Sequence, residues 1–196
     1  MGQARYDGDT EDDRRLWHSY LYWARERVPP DRPGRGSAPT GPAIVDDAAN
    51  RISEPVSRAL QAVLFSAFAL EYRLKRVLLA NNICVSPKET LKPCLDKFWS
   101  RLAAVPRRDG HGLCLPPDEW AAIKPRLDQL VTMRNKLAHA DYTEIVRFLE
   151  SGQDSEQQAK SFYQAVVEAI KLINLGTGYE TRPRDEVNEY FRALLA

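Results

Sequence analysis

A stripe of apolar residues through positions 56–77 constrains the fold of this chain more than any other sequence feature. Its members recur at spacings of three and four and are Val56, Leu60, Val63, Ala67, Leu70, Leu74 and Val77. An α-helix turns once every ~3.6 residues, so this spacing places the whole stripe on one helical face over about six turns. The sequence therefore predicts a long, buried helix.

Shorter apolar stripes with the same spacing lie on both sides of this segment. They comprise Leu16, Tyr20, Leu21 and Ala24; Leu91, Leu95, Phe98 and Leu102; Ile123, Leu127, Leu130 and Leu137; Ala159, Phe162, Val166, Ile170 and Ile173; and Val187, Tyr190, Phe191 and Leu194. The chain shows no alternating strand pattern and no internal repeat. We therefore predict an all-α bundle of five to six helices.

Helix-starting and helix-ending residues separate these stripes. Val28-Pro29-Pro30 and Asn81-Asn82 mark predicted helix ends, and Gly176 marks a later one. Ser86-Pro87-Lys88-Glu89 has the pattern of a capping box, with proline at the first helical position. Pro125 either kinks its helix or starts a new one. These boundaries support separate helices joined by short connections.

Composition restricts the class of protein without indicating a ligand. Of 196 residues, 43% are hydrophobic and 28% are charged, as in ordinary soluble proteins, and the net charge is +1. Any nucleic-acid site must then be a local basic patch. The apolar run 59–70 is too short to span a bilayer, and the three cysteines form no CxxC pair. We expect a cytoplasmic protein with no signal segment and no membrane contact.

The chain divides into three predicted segments. Residues 1–28 form an aromatic N-terminal helix, residues 29–50 a linker rich in proline and glycine, and residues 51–196 the helical domain. The first helix carries Trp17, Tyr20, Tyr22 and Trp23. These aromatic side chains are predicted to pack onto the main body, and a surface that stacks bases is the alternative.

The segment most suggestive of chemistry is the end of the helical pattern that begins near Ile123. Arg134 falls on its apolar stripe, where a permanent charge needs a partner, and Glu71 lies beside the long stripe as a candidate. Asn135 and His139 are four residues apart and face one another on a helix. Arg134 and His139 are five apart, about 140° around the helix, so they converge only at a helix end or across a dimer.

These side chains favour one reaction class. The chain has no GxGxxG, P-loop, HExxH or GxSxG motif, so we expect neither a cofactor nor a metal. A histidine that moves a proton and an arginine that stabilises a phosphoryl transition state suit cleavage of RNA, whose 2′-hydroxyl serves as the nucleophile. The alternative is structural: Arg134 pairs with Glu71, and His139 caps a helix.

The run Arg134-Asn135-Lys136-Leu137-Ala138-His139 resembles the signature of HEPN domains, an arginine followed after four to six residues by a histidine. The segment Ala69-Leu70-Glu71-Tyr72-Arg73-Leu74-Lys75 is similar to an earlier helix of such domains. The resemblance implies a helical bundle that dimerises and forms a composite cleft. It also implies a metal-independent endoribonuclease of a toxin–antitoxin or antiviral defence system. His139 would transfer protons, Arg134 would bind phosphate, and Asn135 would be the structural polar partner.

Several further predictions accompany this resemblance. Glu71 and Tyr142 are supporting residues, and the candidate phosphate-steering residues are Lys136, Arg107, Arg108, Arg73 and Arg76. In one toxin subgroup a tyrosine two residues after the histidine is modified, whereas Tyr142 here follows by three, so pairing with that antitoxin does not carry over. The expected partners are RNA, a second copy of the chain, and an antitoxin or defence-complex protein. The alternatives are a non-catalytic HEPN-type module that binds a nucleotide or a partner, and an inactive assembly subunit that works through its N-terminal helix.

Overall fold

The computed structural model describes residues 11–28, 54–103, 117–139, 143, 146–148, 153–177 and 183–195. Within them lie helices α1 (Glu11–Arg27), α2 (Glu54–Ala80), α3 (Leu91–Phe98), α4 (Pro117–Ala138), α5 (Gln153–Gly176) and α6 (Arg184–Leu195). A π-helical turn, Trp99–Ala103, extends α3, and residues 143 and 146–148 are also helical. No strand occurs in these ranges, which confirms the all-α prediction. None of the helices described is long and apolar enough to cross a membrane.

Helix α2 lies at the centre of the bundle, as its stripe predicted. Val63, Leu70 and Val77 are fully buried, and α2 contacts α1, α3, α4 and α5. Helix α5 is the second core helix and packs against both α2 and α4. Its predicted stripe, which includes Phe162 and Ile170, is also buried. Burial of these two apolar faces against each other is one of the main contacts of the core, alongside the packing of α1 on α2.

The end of α2 is fixed by its backbone. Asn82 adopts a left-handed conformation with φ 58°, and its N–H donates to the carbonyl of Leu79 at 2.9 Å. The N–H of Ile83 donates to the carbonyl of Leu78 at 2.9 Å. This pair of bonds is a Schellman motif, in which asparagine tolerates the positive φ. The predicted helix end at Asn81-Asn82 is confirmed.

The predicted helix start at Ser86 is wrong. Helix α3 begins at Leu91, and residues 87–88 form a turn. One contact of the capping box is present, because the Glu89 carboxylate accepts a hydrogen bond from the Ser86 N–H at 3.1 Å. The Glu89 carboxylate also pairs with Lys97 Nζ at 2.7 Å, which lowers the pKa of Glu89. Glu89 thus ties the turn to α3 and does not cap a helix of its own.

Pro125 does not start a new helix, and the other alternative, a kink in the existing helix, stays a prediction. Helix α4 runs without interruption from Pro117 to Ala138. A proline inside a helix removes the hydrogen bond to the carbonyl four residues earlier, here that of Ala121. Both Ala121 and Pro125 are exposed, so water can satisfy that carbonyl. Arg134 therefore belongs to the same helix as the buried residue Ile123.

Helix α1 belongs to the core of the bundle. Trp17, Leu21 and Ala24 are between 0% and 2% exposed, and α1 packs along α2. The prediction that aromatic side chains of this helix pack onto the body is confirmed for Trp17. Tyr22 is exposed, and Trp23 is also largely exposed although its ring contacts Phe65 on α2. The predicted linker, residues 29–50, lies outside the described residues.

Arg73 connects three helices in the interior. Its side chain is fully buried, and its guanidinium carbon lies 5.7 Å from the centre of the Trp17 ring. Its Nε donates a 2.7 Å hydrogen bond to Oδ1 of Asn174 on α5. An arginine in this position cannot reach an RNA phosphate at the surface. The prediction that Arg73 steers phosphate is therefore wrong, because the residue is a structural contact between α1, α2 and α5.

Candidate functional site

Arg134 is directed from α4 toward α2, as its place on the apolar stripe required. Its Nη2 lies 3.4 Å from Oε2 of Glu71, and the two side chains are 13% and 14% exposed. Its Nη1 donates to Oδ1 of Asn135, also at 3.4 Å. The guanidinium is thus oriented by a carboxylate from one helix and an amide from its own. The predicted Arg134–Glu71 pair is present in the structure.

Glu71 is shared between two cations. Its other carboxylate oxygen, Oε1, lies 2.8 Å from Nζ of Lys75, one helical turn along α2. Lys75 Nζ also lies 3.5 Å from the carbonyl of Pro87 in the turn before α3. Arg134, Lys75 and Glu71 together carry one positive charge in excess. This group of three residues, the Glu71 triad, forms a weakly basic site between α2 and α4.

His139 is much more exposed than Arg134. It follows Ala138, the last residue of α4, and is exposed. Its backbone N–H donates to the carbonyl of Asn135 at 2.9 Å, so the chain keeps helical hydrogen bonding up to this residue. Helix α4 therefore ends immediately before His139. An exposed imidazole at that end is accessible to a large substrate.

Asn135 contacts Arg134 through its side chain and His139 through its backbone. Its predicted role in orienting the His139 imidazole stays a prediction. Its observed side-chain contact gives it another role, which is to accept a hydrogen bond from the terminal nitrogen of Arg134 that does not contact Glu71. That contact joins neighbouring residues in the chain, a pairing that helical spacing does not predict.

The remaining predicted residues are distributed more widely. Lys136 on α4 and Arg76 on α2 are partly exposed, and Arg76 lies one residue after Lys75 of the triad. Arg107, Arg108 and Tyr142 lie outside the described residues. Lys75 was not among the predicted site residues, although its spacing of four from Glu71 is the usual signal for a helical ion pair.

The chain matches no protein-family model, and neither a curated protein nor a solved structure matches it. Among the described residues, no three His, Cys, Asp or Glu side chains are grouped in a way that could hold a metal ion. What the site can do therefore follows from its geometry and from the chemistry of its side chains.

We expect the replacement Glu71→Ala to lower the free energy of unfolding by about 1–3 kcal/mol, because it leaves the largely buried Arg134 without its carboxylate. Asp128→Ala is the matched control. Asp128 pairs with Lys124 at 2.6 Å, but these side chains are 46% and 52% exposed, so its loss should cost no more than about 1 kcal/mol. Urea unfolding of both variants measures the difference. Equal destabilisation would contradict a structural role for the Glu71 triad.

Two cysteines provide an independent test of packing beside the triad. Burial raises the pKa of the Cys94 thiol to about 11, and Lys75 and Glu71 are among the charges around it. Cys84 is exposed. Since the thiolate is the reactive form, iodoacetamide at about pH 8 should alkylate Cys84 at least ~10-fold faster than Cys94. Peptide mass spectrometry over time measures both rates. Equal rates in the folded protein would contradict the burial of Cys94.

Proposed function

We propose that this protein is a metal-independent endoribonuclease of the toxin or antiviral-defence type, with RNA as its substrate. The observation that supports this proposal most is the placement of two different groups on one helix. Arg134 is held by Glu71 and Asn135, and His139 is exposed where α4 ends. A fixed cation and an accessible imidazole are the two groups that cleavage by a 2′-hydroxyl needs.

In the proposed reaction, the imidazole of His139 takes the proton from a 2′-hydroxyl of the substrate. The 2′-oxygen then attacks the adjacent phosphorus, the bond from phosphorus to the 5′-oxygen breaks, and a 2′,3′-cyclic phosphate forms. The leaving 5′-oxygen receives a proton from the protonated imidazole or from water. Arg134 stabilises the negative charge that develops on the phosphoryl oxygens, using N–H donors not occupied by Glu71 and Asn135.

The orientation of the two residues supports a homodimer in this proposal. Arg134 faces α2, whereas His139 is exposed at the end of α4. Five positions on one helix separate side-chain directions by about 140°. A second copy of the chain would place an additional arginine and histidine in a shared cleft. The neutralising or activating partner would be an antitoxin or another defence protein.

Incubation of the purified protein with single-stranded RNA in excess EDTA tests the proposed activity. We expect cleavage that leaves 2′,3′-cyclic phosphate ends, because the mechanism uses no metal ion. Cleavage that occurs only after a divalent metal is restored would contradict this mechanism. Arrest of growth when the chain is expressed in bacteria would extend the proposal from an activity in solution to a toxin.

A second candidate function is a non-catalytic HEPN-type module that binds a nucleotide or a partner protein. The specific observation in its favour is that Glu71 and Asn135 engage both terminal nitrogens of Arg134. In that case the Glu71 triad is purely structural. This alternative predicts no cleavage of any RNA and no effect of His139 on growth, so the same experiments separate the two functions.

A further inference from the structure

A cleft of about 500 Å³ lies between α4 and α5, apart from the Glu71 triad. This volume is within the range of small-ligand sites, about 300–1,000 Å³. No residue that sequence analysis selected for chemistry lines it. Met133 lines the cleft and directly precedes Arg134 of the candidate site in the sequence.

The lining of the cleft combines apolar and polar residues. Phe148, Phe162 and Met133 are its apolar members, and the two phenylalanines are 4% and 1% exposed. Gln129 on α4 and Gln157 on α5 contribute side-chain amides, and both residues are exposed. Apolar groups beside hydrogen-bonding groups suit a planar ring that carries polar atoms on its rim.

The polar groups indicate what kind of ring fits. Each glutamine amide offers a donor and an acceptor, the pair that matches the amino group and ring nitrogen of adenine. Asp154 adds a carboxylate, which accepts a hydrogen bond from an exocyclic amine. Arg147, also on the rim, adds a positive charge for a neighbouring phosphate. Uracil has no exocyclic amine and would lose the hydrogen bond to the carboxylate.

We propose that this cleft holds one unpaired base with an exocyclic amine, adenine above all, from the RNA strand cleaved at Arg134 and His139. The inference rests on the proposed function for the identity of the strand. Helix α4 supplies the connection: Gln129, Met133 and Lys136 follow one another at spacings of four and three along one face. Met133 and His139 are separated by about 9 Å along the helix axis. The cleft would thus select which phosphate is presented to the site.

Methionine NMR tests this inference directly, because the chain contains only two methionines, Met1 and Met133. The full chain is labelled at its methionine methyl carbons and titrated with adenosine 5′-monophosphate or uridine 5′-monophosphate up to about 10 mM. The replacement Met133→Leu assigns the signal. We expect adenosine monophosphate to shift the Met133 methyl resonance and leave that of Met1 unchanged. The uridine nucleotide should bind at least about fivefold more weakly.

The variant Gln157→Ala should weaken binding of the adenosine nucleotide by about fivefold or more. Gln61→Ala, the same change on α2, is the matched control and should leave it unchanged. An unresponsive Met133 methyl, equal responses to the two nucleotides, or no effect of Gln157→Ala would each overturn the inference. Because this measurement needs no cleavage, a responding Met133 in a protein that does not cleave RNA would refute the proposed function and leave the cleft as a base-binding site. Cleavage of RNA by a protein whose Met133 methyl resonance does not respond would support the proposed function and refute the cleft as a base-binding site.

Discussion

The replacement His139→Ala is expected to lower the rate of RNA cleavage in EDTA by about 10²–10⁴-fold, the range that proton transfer by a positioned side chain contributes. The fold should not change, because His139 is exposed and follows the last residue of α4. Surface substitutions of this kind usually alter the free energy of unfolding by no more than about 0.5 kcal/mol. Initial cleavage rates and urea unfolding of the same preparations measure the two effects.

His111→Ala is the control for this prediction. It removes an imidazole elsewhere in the chain, among the residues that the structure does not describe. We expect its rate to remain within about threefold of the original, the scale of losing one modest electrostatic contact. A His139→Ala protein that cleaves at the original rate would exclude His139 from the reaction. Equal losses in both variants would show that the assay responds to charge and not to this site.

The replacement Trp17→Ala is expected to lower the free energy of unfolding by about 3–5 kcal/mol, a large part of the stability of a domain this size. Trp17 is 1% exposed in the core between α1 and α2, so its removal creates a cavity. It also removes the ring that lies over the buried guanidinium of Arg73. Thermal and urea unfolding measure the loss.

Trp23→Ala on the same helix is the matched control. Trp23 is 46% exposed and packs its ring against Phe65 at 5.7 Å, so its removal should cost about 1 kcal/mol. Similar losses in the two variants would contradict the placement of α1 in the core. A deletion of residues 1–43, made to test the alternative of an assembly subunit, would remove the whole of α1. Because α1 covers α2, such a deletion would destabilise the bundle and would not test an assembly role alone.

The apolar stripes allowed most of the fold to be predicted. For α2 and α5 the spacing of three and four identified core residues such as Leu70 and Phe162, both nearly inaccessible in the structure. Burial of a continuous helical face is the strongest determinant of such a bundle, and it is visible in the sequence. Local patterns such as the capping box were a weaker guide to where helices begin. The residues after Ser86 form a turn, and the first helical turn of α3 forms only at Leu91.

The candidate site was predictable in part. The charge of Arg134 on an apolar stripe required a partner, and Glu71 on the adjacent helix is that partner. Arg73 shows the limit of judging residues by charge. It lies three residues after Leu70 and four before Val77, so its position on the buried face was visible, but neighbouring basic residues suggested an exposed cluster. The cleft could not be predicted, because it requires the relative placement of α4 and α5.

Glu71 and Arg73 have a joint consequence for α2. They are two residues apart, about 200° around the helix, and they contact different neighbours: Arg134 on α4, and Asn174 on α5. Small and aliphatic side chains on the apolar face would tolerate a modest turn of α2 about its own axis. The two polar contacts are directional, so such a turn moves both of them away from their observed geometry. Directional bonds on opposite sides of α2 therefore fix the rotation of this helix about its own axis. They also fix the direction in which Glu71 presents its carboxylate to Arg134.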